Sequence, residues 1–120
     1  MIDHMSIHVS DAAASKRFYE AALKPLGYST LMDFGEQAVG LGEGGKPDFW
    51  LGKGAPKPSH IAFRSPDRAA VDAFHAAAIA AGGRDNGAPG VRAHYHAGYY
   101  AAFVLDPDGH NVEAVCHQAP

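Results

Sequence analysis

A run of 24 residues, His4 to Gly27, can be laid on a second run, His60 to Gly83, without a gap. The offset is 56 throughout, and eight positions are identical: His4/His60, Asp11/Asp67, Ala13/Ala69, Ala14/Ala70, Phe18/Phe74, Ala21/Ala77, Ala22/Ala78 and Gly27/Gly83. The four alanine matches are cheap coincidences in helices. Matches of His, Asp, Phe and Gly at strand, cap, core and stop positions are not, and they imply two tandem copies of one folding unit.

The unit can be read from its first copy. Ile2, His4, Ser6, His8 and Ser10 alternate with Asp3, Met5, Ile7 and Val9, the pattern of a strand covered on one side. Asp11 reads as a helix N-cap, and Ala14, Phe18, Ala21 and Ala22 recur at helical spacing until Pro25 and Gly27 stop the helix. Three short β-like pieces follow, Tyr28–Phe34, Gln37–Leu41 and Phe49–Gly52, with glycine-rich breaks between them. The unit is therefore βαβββ and occupies residues 1–53. Residues 54–58 (GAPKP) are a linker by composition, and residues 59–117 repeat the pattern. There Ser65-Pro66 marks the second helix start, with Ser able to cap and Pro at home in the first turn. A loosely patterned stretch from Arg84 to Gly98 is rich in Gly and Pro and defeats any register argument.

The chain closes on DPDGHNVEA, Asp106 to Ala114. Asp106-Pro107-Asp108-Gly109 has the residues of a β-turn, joining Tyr99–Leu105 to Asn111–Cys116 in a hairpin. If Val112, Ala114 and Cys116 face a core, Glu113 faces the other way. Sliding the repeat by 63 rather than 56 sets Asp48–Leu51 against Asn111–Ala114, so Trp50 is the counterpart of Glu113.

Bulk properties narrow the class. A chain of 120 residues, 47% hydrophobic and 19% charged, is one ordered domain by size. Its net charge of −3, with ten scattered Lys and Arg, offers no basic stripe for nucleic acid. No apolar run approaches a membrane span, no basic leader precedes the first strand, and a single cysteine suits a reducing cytoplasm. Eight histidines are the unusual count.

Two copies related by a pseudo-twofold place equivalent positions around a shared axis, so His4 and His60 are expected to face each other with Glu113 on the matching inner face. Two imidazoles and a carboxylate make a facial set that holds a divalent ion and leaves positions open for substrate.

In His4 five residues before Val9, Asp11 opening the helix, Phe18-Tyr19, Leu26-Gly27, His60 opening the second copy and DPDGHNVE at the end, the chain resembles the vicinal oxygen chelate superfamily. That superfamily includes glyoxalase I, fosfomycin-resistance thiol transferases, extradiol dioxygenases and bleomycin-binding proteins. The resemblance implies an α+β, glyoxalase-like fold, a cupped eight-stranded mixed sheet with helices outside. It also implies one divalent metal ion (Zn, Ni, Mn or Fe) on His4, His60 and Glu113. Glyoxalase I has a fourth protein ligand where this chain has Trp50, so the pattern is more similar to the thiol transferases and dioxygenases. Homodimers are common in the superfamily, with or without exchange of modules, and a homodimer is expected here.

Further candidates surround this set. Arg92 to Tyr100 packs two histidines, three tyrosines and an arginine beside the hairpin, a density suited to a pocket rim. Neighbours on a strand point opposite ways, so one of Tyr99 and Tyr100 faces the cup; Tyr99 is preferred, with Tyr100 kept as a substrate-binding candidate. Trp50, Phe103 and Tyr99 would be apolar walls. Ser6 and His8 share the inner face of the first strand, and Arg64 is related to His8 by the repeat and could bind an anionic group. Glu113, His96 and Tyr99 are the catalytic candidates. His75, His110 and His117 are read as helix-surface, turn and chain-end residues without a role. The expected function is metal-dependent chemistry on a small oxygen-bearing substrate chelated through two adjacent oxygens, as a lyase or isomerase, thiol transferase or dioxygenase. The alternative is a metal-free module sequestering a small planar molecule, as bleomycin-binding relatives do.

Overall fold

The computed structural model describes all 120 residues, Met1 to Pro120. In the first half, β1 (Met5–Val9) leads through α1 (Ala12–Leu23) to β2 (Ser29–Asp33), β3 (Val39–Gly42) and β4 (Phe49–Lys53). In the second, β5 (His60–Arg64) leads through α2 (Arg68–Ala80) to β6 (Arg84–Val91), β7 (Tyr100–Leu105) and β8 (Asn111–Cys116). The strands divide into two four-stranded mixed sheets, ordered β1-β4-β3-β2 and β5-β8-β7-β6. In each, the first strand runs parallel to the last and the other pairings are antiparallel.

Local chemistry explains the elements. Asp11 caps α1 by accepting from Ala14 N at 3.0 Å, and Asp67 caps α2 by accepting from Ala70 N at 2.7 Å. The second helix start is thus the repeated Asp. Ser65, expected as a possible cap, instead donates its hydroxyl to the Asp67 carbonyl at 2.7 Å, and Pro66 precedes the cap instead of occupying the first turn. After α1, a single 3-10 turn over Lys24–Leu26 ends at Gly27, whose φ of 89° is left-handed. The repeat pairs Gly27 with Gly83, yet the two serve different ends. In the second half Gly82 takes the left-handed position (φ 99°), while a Cβ on Gly83 would sit 2.5 Å from Val104 and 2.8 Å from Phe18. Gly83 is a close-approach residue. The stretch without readable register contains β6, an edge strand that accommodates Pro89 and two register shifts.

The alternation seen in the sequence sorts each strand. Ile7 and Val9, Phe49 and Leu51, Ile61 and Phe63, and Val112, Ala114 and Cys116 all join one core of 22 buried residues with the apolar sides of both helices. Phe49 meets Tyr19 and Phe63 edge-on, at 5.1 and 5.2 Å, which carries the core across from one sheet to the other. α1 and α2 pack on each other as well. Ser6, His8 and Trp50 in one sheet, and His60, Phe103 and Glu113 in the other, are left on the helix-free faces.

The Asp106–Gly109 turn ties the halves together. Its backbone closes through Gly109 N to Asp106 O at 3.0 Å. The Asp106 carboxylate, 3% exposed, accepts from the amides of Asp108 and His110, both at 2.9 Å, and from the buried Tyr19 hydroxyl at 2.5 Å. Asp108 in turn accepts from the Ser10 hydroxyl and amide. Burial beside that carboxylate raises the Tyr19 pKa well above its ordinary value.

Candidate functional site

On the helix-free face of the second sheet, parallel pairing sets Ala62 opposite Glu113, and antiparallel pairing sets Phe103 on its other side. His60 lies two residues earlier on the same face as Ala62. The result is a buried carboxylate with both oxygens held: His60 Nε2 lies 3.0 Å from Oε1, and the Tyr99 hydroxyl donates to Oε2. Glu113 is 2% exposed, whereas the His60 side chain is half open to solvent. Phe103 stacks on the His60 ring at 6.2 Å, and the Arg92 guanidinium lies 5.4 Å from the Phe103 ring centre. Arg92 is pinned there by donating to the carbonyls of Ala88 and Gly90 at 2.8 and 2.9 Å.

Burial, then the bond to Glu113, pushes the Tyr99 phenol up to about 12. It therefore remains a protonated donor throughout the neutral range. Behind it, His96 Nδ1 accepts from Gly98 N at 3.1 Å, which places the His96 proton on Nε2, 2.9 Å from His117 Nδ1. His117, expected to be a frayed end, stacks on His96 at 5.1 Å and meets Tyr99 edge-on at 5.2 Å. No sequence signal marked it, since only the β7–β8 register brings it beside Tyr99.

The corresponding face of the first sheet holds a separate set. Ser6 lies opposite Trp50 and His8 opposite Gly52. Trp50 and Glu113 thus occupy the same place in their sheets, opposite Ser6 and its repeat mate Ala62. The Trp50 indole lies across Gly40, where a Cβ would come within 2.8 Å of it, and stacks on Phe34 at 6.4 Å. A cavity of about 310 Å³ lined by His4, Ser6, His8, Gln37 and Trp50 opens on this face. A larger cleft, of about 520 Å³, opens by the start of α1 between the Lys16–Asp33 and Lys53–Glu36 pairs and shares none of these residues.

His4 stands just before β1, exposed, its Nδ1 2.7 Å from Asp3, which also pairs with Lys46. Lys46 first, and His4 second, hold the Asp3 carboxyl below the usual range. A carboxylate only accepts, so His4 Nδ1 carries the proton shared with Asp3, and Nε2 is the ring nitrogen left without a protein partner. One chain does not unite His4 with His60 and Glu113, and no three His, Cys, Asp or Glu side chains gather in it to hold an ion. Tyr100 does not face this region. Its hydroxyl donates to Asp72 at 2.6 Å and its ring lies under Arg68 at 4.9 Å, both on α2, because its β8 partner, Cys116, is a core-facing residue. Arg64 is exposed at the end of β5, on the same face as His60.

No protein-family model matches the chain, and no curated protein does. Solved structures do. A glyoxalase/bleomycin resistance protein from Albidiferax ferrireducens is 28% identical, with 98% of each chain covered and a TM-score of 0.80. A lactoylglutathione lyase from Agrobacterium tumefaciens is 20% identical, with 97% of this chain and 92% of that one covered and a TM-score of 0.71. The oxidase ChaP-H1 is 22% identical, with 100% and 96% covered and a TM-score of 0.71. The chain carries the glyoxalase-like α+β fold of these proteins, in agreement with the vicinal oxygen chelate superfamily that its motifs resemble.

Proposed function

We propose that this chain, built on the vicinal oxygen chelate fold, is a divalent-metal-dependent, glyoxalase-like enzyme acting on a small oxygen-bearing substrate, with each site shared between two copies. The observation that carries this is the His60–Glu113 pair. Two ligands at right angles on an ion with bonds of about 2.0–2.2 Å stand about 3 Å apart, and His60 Nε2 and Glu113 Oε1 stand at 3.0 Å. One chain supplies these two donors, and the third, His4 with its unpartnered Nε2, stands just before the first strand of the other sheet. A second copy presenting its first sheet to this second sheet would complete the set, which is the reason to expect a homodimer.

When bound, the ion would polarise adjacent oxygens of the substrate and stabilise charge that builds on them. The chain's own groups do the rest. Tyr99 occupies Glu113 Oε2, so Oε1, which His60 meets in the metal-free chain, would be the donor atom. Phe103 walls the His60 ring on one side, and Trp50 of the facing sheet supplies a flat apolar surface. Arg64, exposed on the same face as His60, is the polar group available to the substrate, while His96, both of whose ring nitrogens are engaged, would back Tyr99.

Elemental mass spectrometry of tag-free protein tests the reading. About one ion per chain is expected, lost in His4→Ala, His60→Ala and Glu113→Ala. Mixing His4→Ala with Glu113→Ala protomers should restore one intact site per mixed dimer. An ion-free parent that takes up no Mn, Fe, Ni or Zn sinks the enzyme. The second reading, a metal-free binder of planar small molecules, is then favoured by a specific observation: both Glu113 oxygens are satisfied by protein donors, and the Trp50–Phe34 stack is a ready flat surface.

A further inference from the structure

His110 stood outside every functional grouping in the sequence, yet it is 1% exposed and both of its ring nitrogens are engaged. Ser59 N donates to Nδ1 at 3.1 Å, and Nε2 lies 2.9 Å from the His8 carbonyl oxygen. A backbone N–H can only donate, so Nδ1 is the bare nitrogen and Nε2 carries the proton; one neutral tautomer satisfies both bonds. The two groups it joins belong to different halves of the chain. His8 lies in β1 and lines the cavity of the first sheet. Ser59 immediately precedes His60, and its carbonyl is held by Asn111 N at 2.7 Å, the residue after His110. The start of β5 is thus gripped from both sides by residues 110 and 111, while the same imidazole reaches across to β1. At the 63-residue offset, the counterpart of His110 is Pro47, whose ring has no donor or acceptor. The link is built once and breaks the symmetry of the repeat.

We infer that His110 is a positioning residue: its imidazole sets the entry of β5, and with it the His60 ring on Glu113, against the end of β1. The importance given to His60 rests on the function proposed above, but the coupling needs no ion.

Two amide substitutions separate the two bonds. His110→Asn puts an acceptor oxygen near the position of Nδ1 and cannot reach His8; His110→Gln puts a donor near the position of Nε2 and abandons Ser59. The measurements are the His60 ring nitrogen shifts and backbone amide exchange, by NMR on full-length metal-free protein at one pH. In His110→Asn the His60 shifts should match the parent, while exchange at Val9 and Gly54 rises about fivefold, the effect of losing one hydrogen bond of about 1 kcal/mol. In His110→Gln the His60 shifts should move and exchange at Ser59 and Ile61 rise, with Val9 and Gly54 unchanged. His110→Ala should show both changes. Identical responses in the two amide variants, loss of fold in both, or unmoved His60 shifts in His110→Gln would overturn the assignment. A parent that takes up no Mn, Fe, Ni or Zn yet shows the expected pattern would overturn the proposed function and leave this coupling standing.

Discussion

Single residues on this fold are placed by what stands opposite them. Trp50 is the only tryptophan, and its indole rests on Gly40, with Pro47 also within 2.9 Å of where a Cβ would be. Gly40→Ala should therefore push the indole off the sheet and shift its emission to longer wavelength, with far-ultraviolet circular dichroism unchanged; an unmoved spectrum would show that the indole does not lie there. Glu113 could be singled out in the sequence because strand alternation turns it from the core and the DPDG turn fixes where that strand begins. Its partners were only partly legible. The repeat singles out His60, and the density of rings marks Tyr99, but the exclusion of Tyr100 and the arrival of His117 both depend on the β7–β8 register. Register is a long-range property, set by pairing and bulges and not by the residues themselves.

At the level of elements, the two caps permit a controlled comparison. Asp11→Ala and Asp67→Ala should each cost about 1 kcal/mol in urea denaturation, the usual worth of an N-cap side chain. Ser65→Ala should cost clearly less than Asp67→Ala, since the Ser65 hydroxyl donates to a carbonyl and satisfies none of the free helix amides. Equal losses at 65 and 67 would contradict the cap assignment. The helices and the inward alternation of β1, β4, β5 and β8 were readable because they are local patterns reinforced by a second copy. β6 was not, because an edge strand needs neither an unbroken row of donors nor a buried face on both sides and so leaves a weak trace.

For the molecule as a whole, the two halves share one core and are joined by the turn, and this makes stability sensitive to alkali. Tyr19 and Tyr99 titrate higher in the folded chain than the ordinary 10.0, Tyr99 at about 12. The folded state holds these protons longer than the unfolded chain does. Their contribution is therefore complete below pH 10 and is lost as pH rises from 10 through each folded value, about 12 for Tyr99. Urea midpoints should fall across that window, and fall less steeply in Tyr99→Phe, which should also be less stable at neutral pH by about 1.5 kcal/mol, for a hydrogen bond to a carboxylate from a partly buried ring. A slope unchanged by the substitution would exclude Tyr99 as a source. No helix is long and apolar enough to cross a membrane.

What the sequence by itself determined is the repeated βαβββ unit, the faces of its strands, its caps and the turn before Glu113, all of which follow from periodicity and local backbone chemistry. The tertiary structure alone decided that His60 closes on Glu113 while His4 stands apart beside Asp3, that Tyr99 holds the carboxylate, and that His110 binds the halves together. The bonds made by His60, Tyr99 and His110 each join residues at least 14 positions apart. Contacts at that separation depend on how two sheets and two helices pack, which no local pattern of residues encodes.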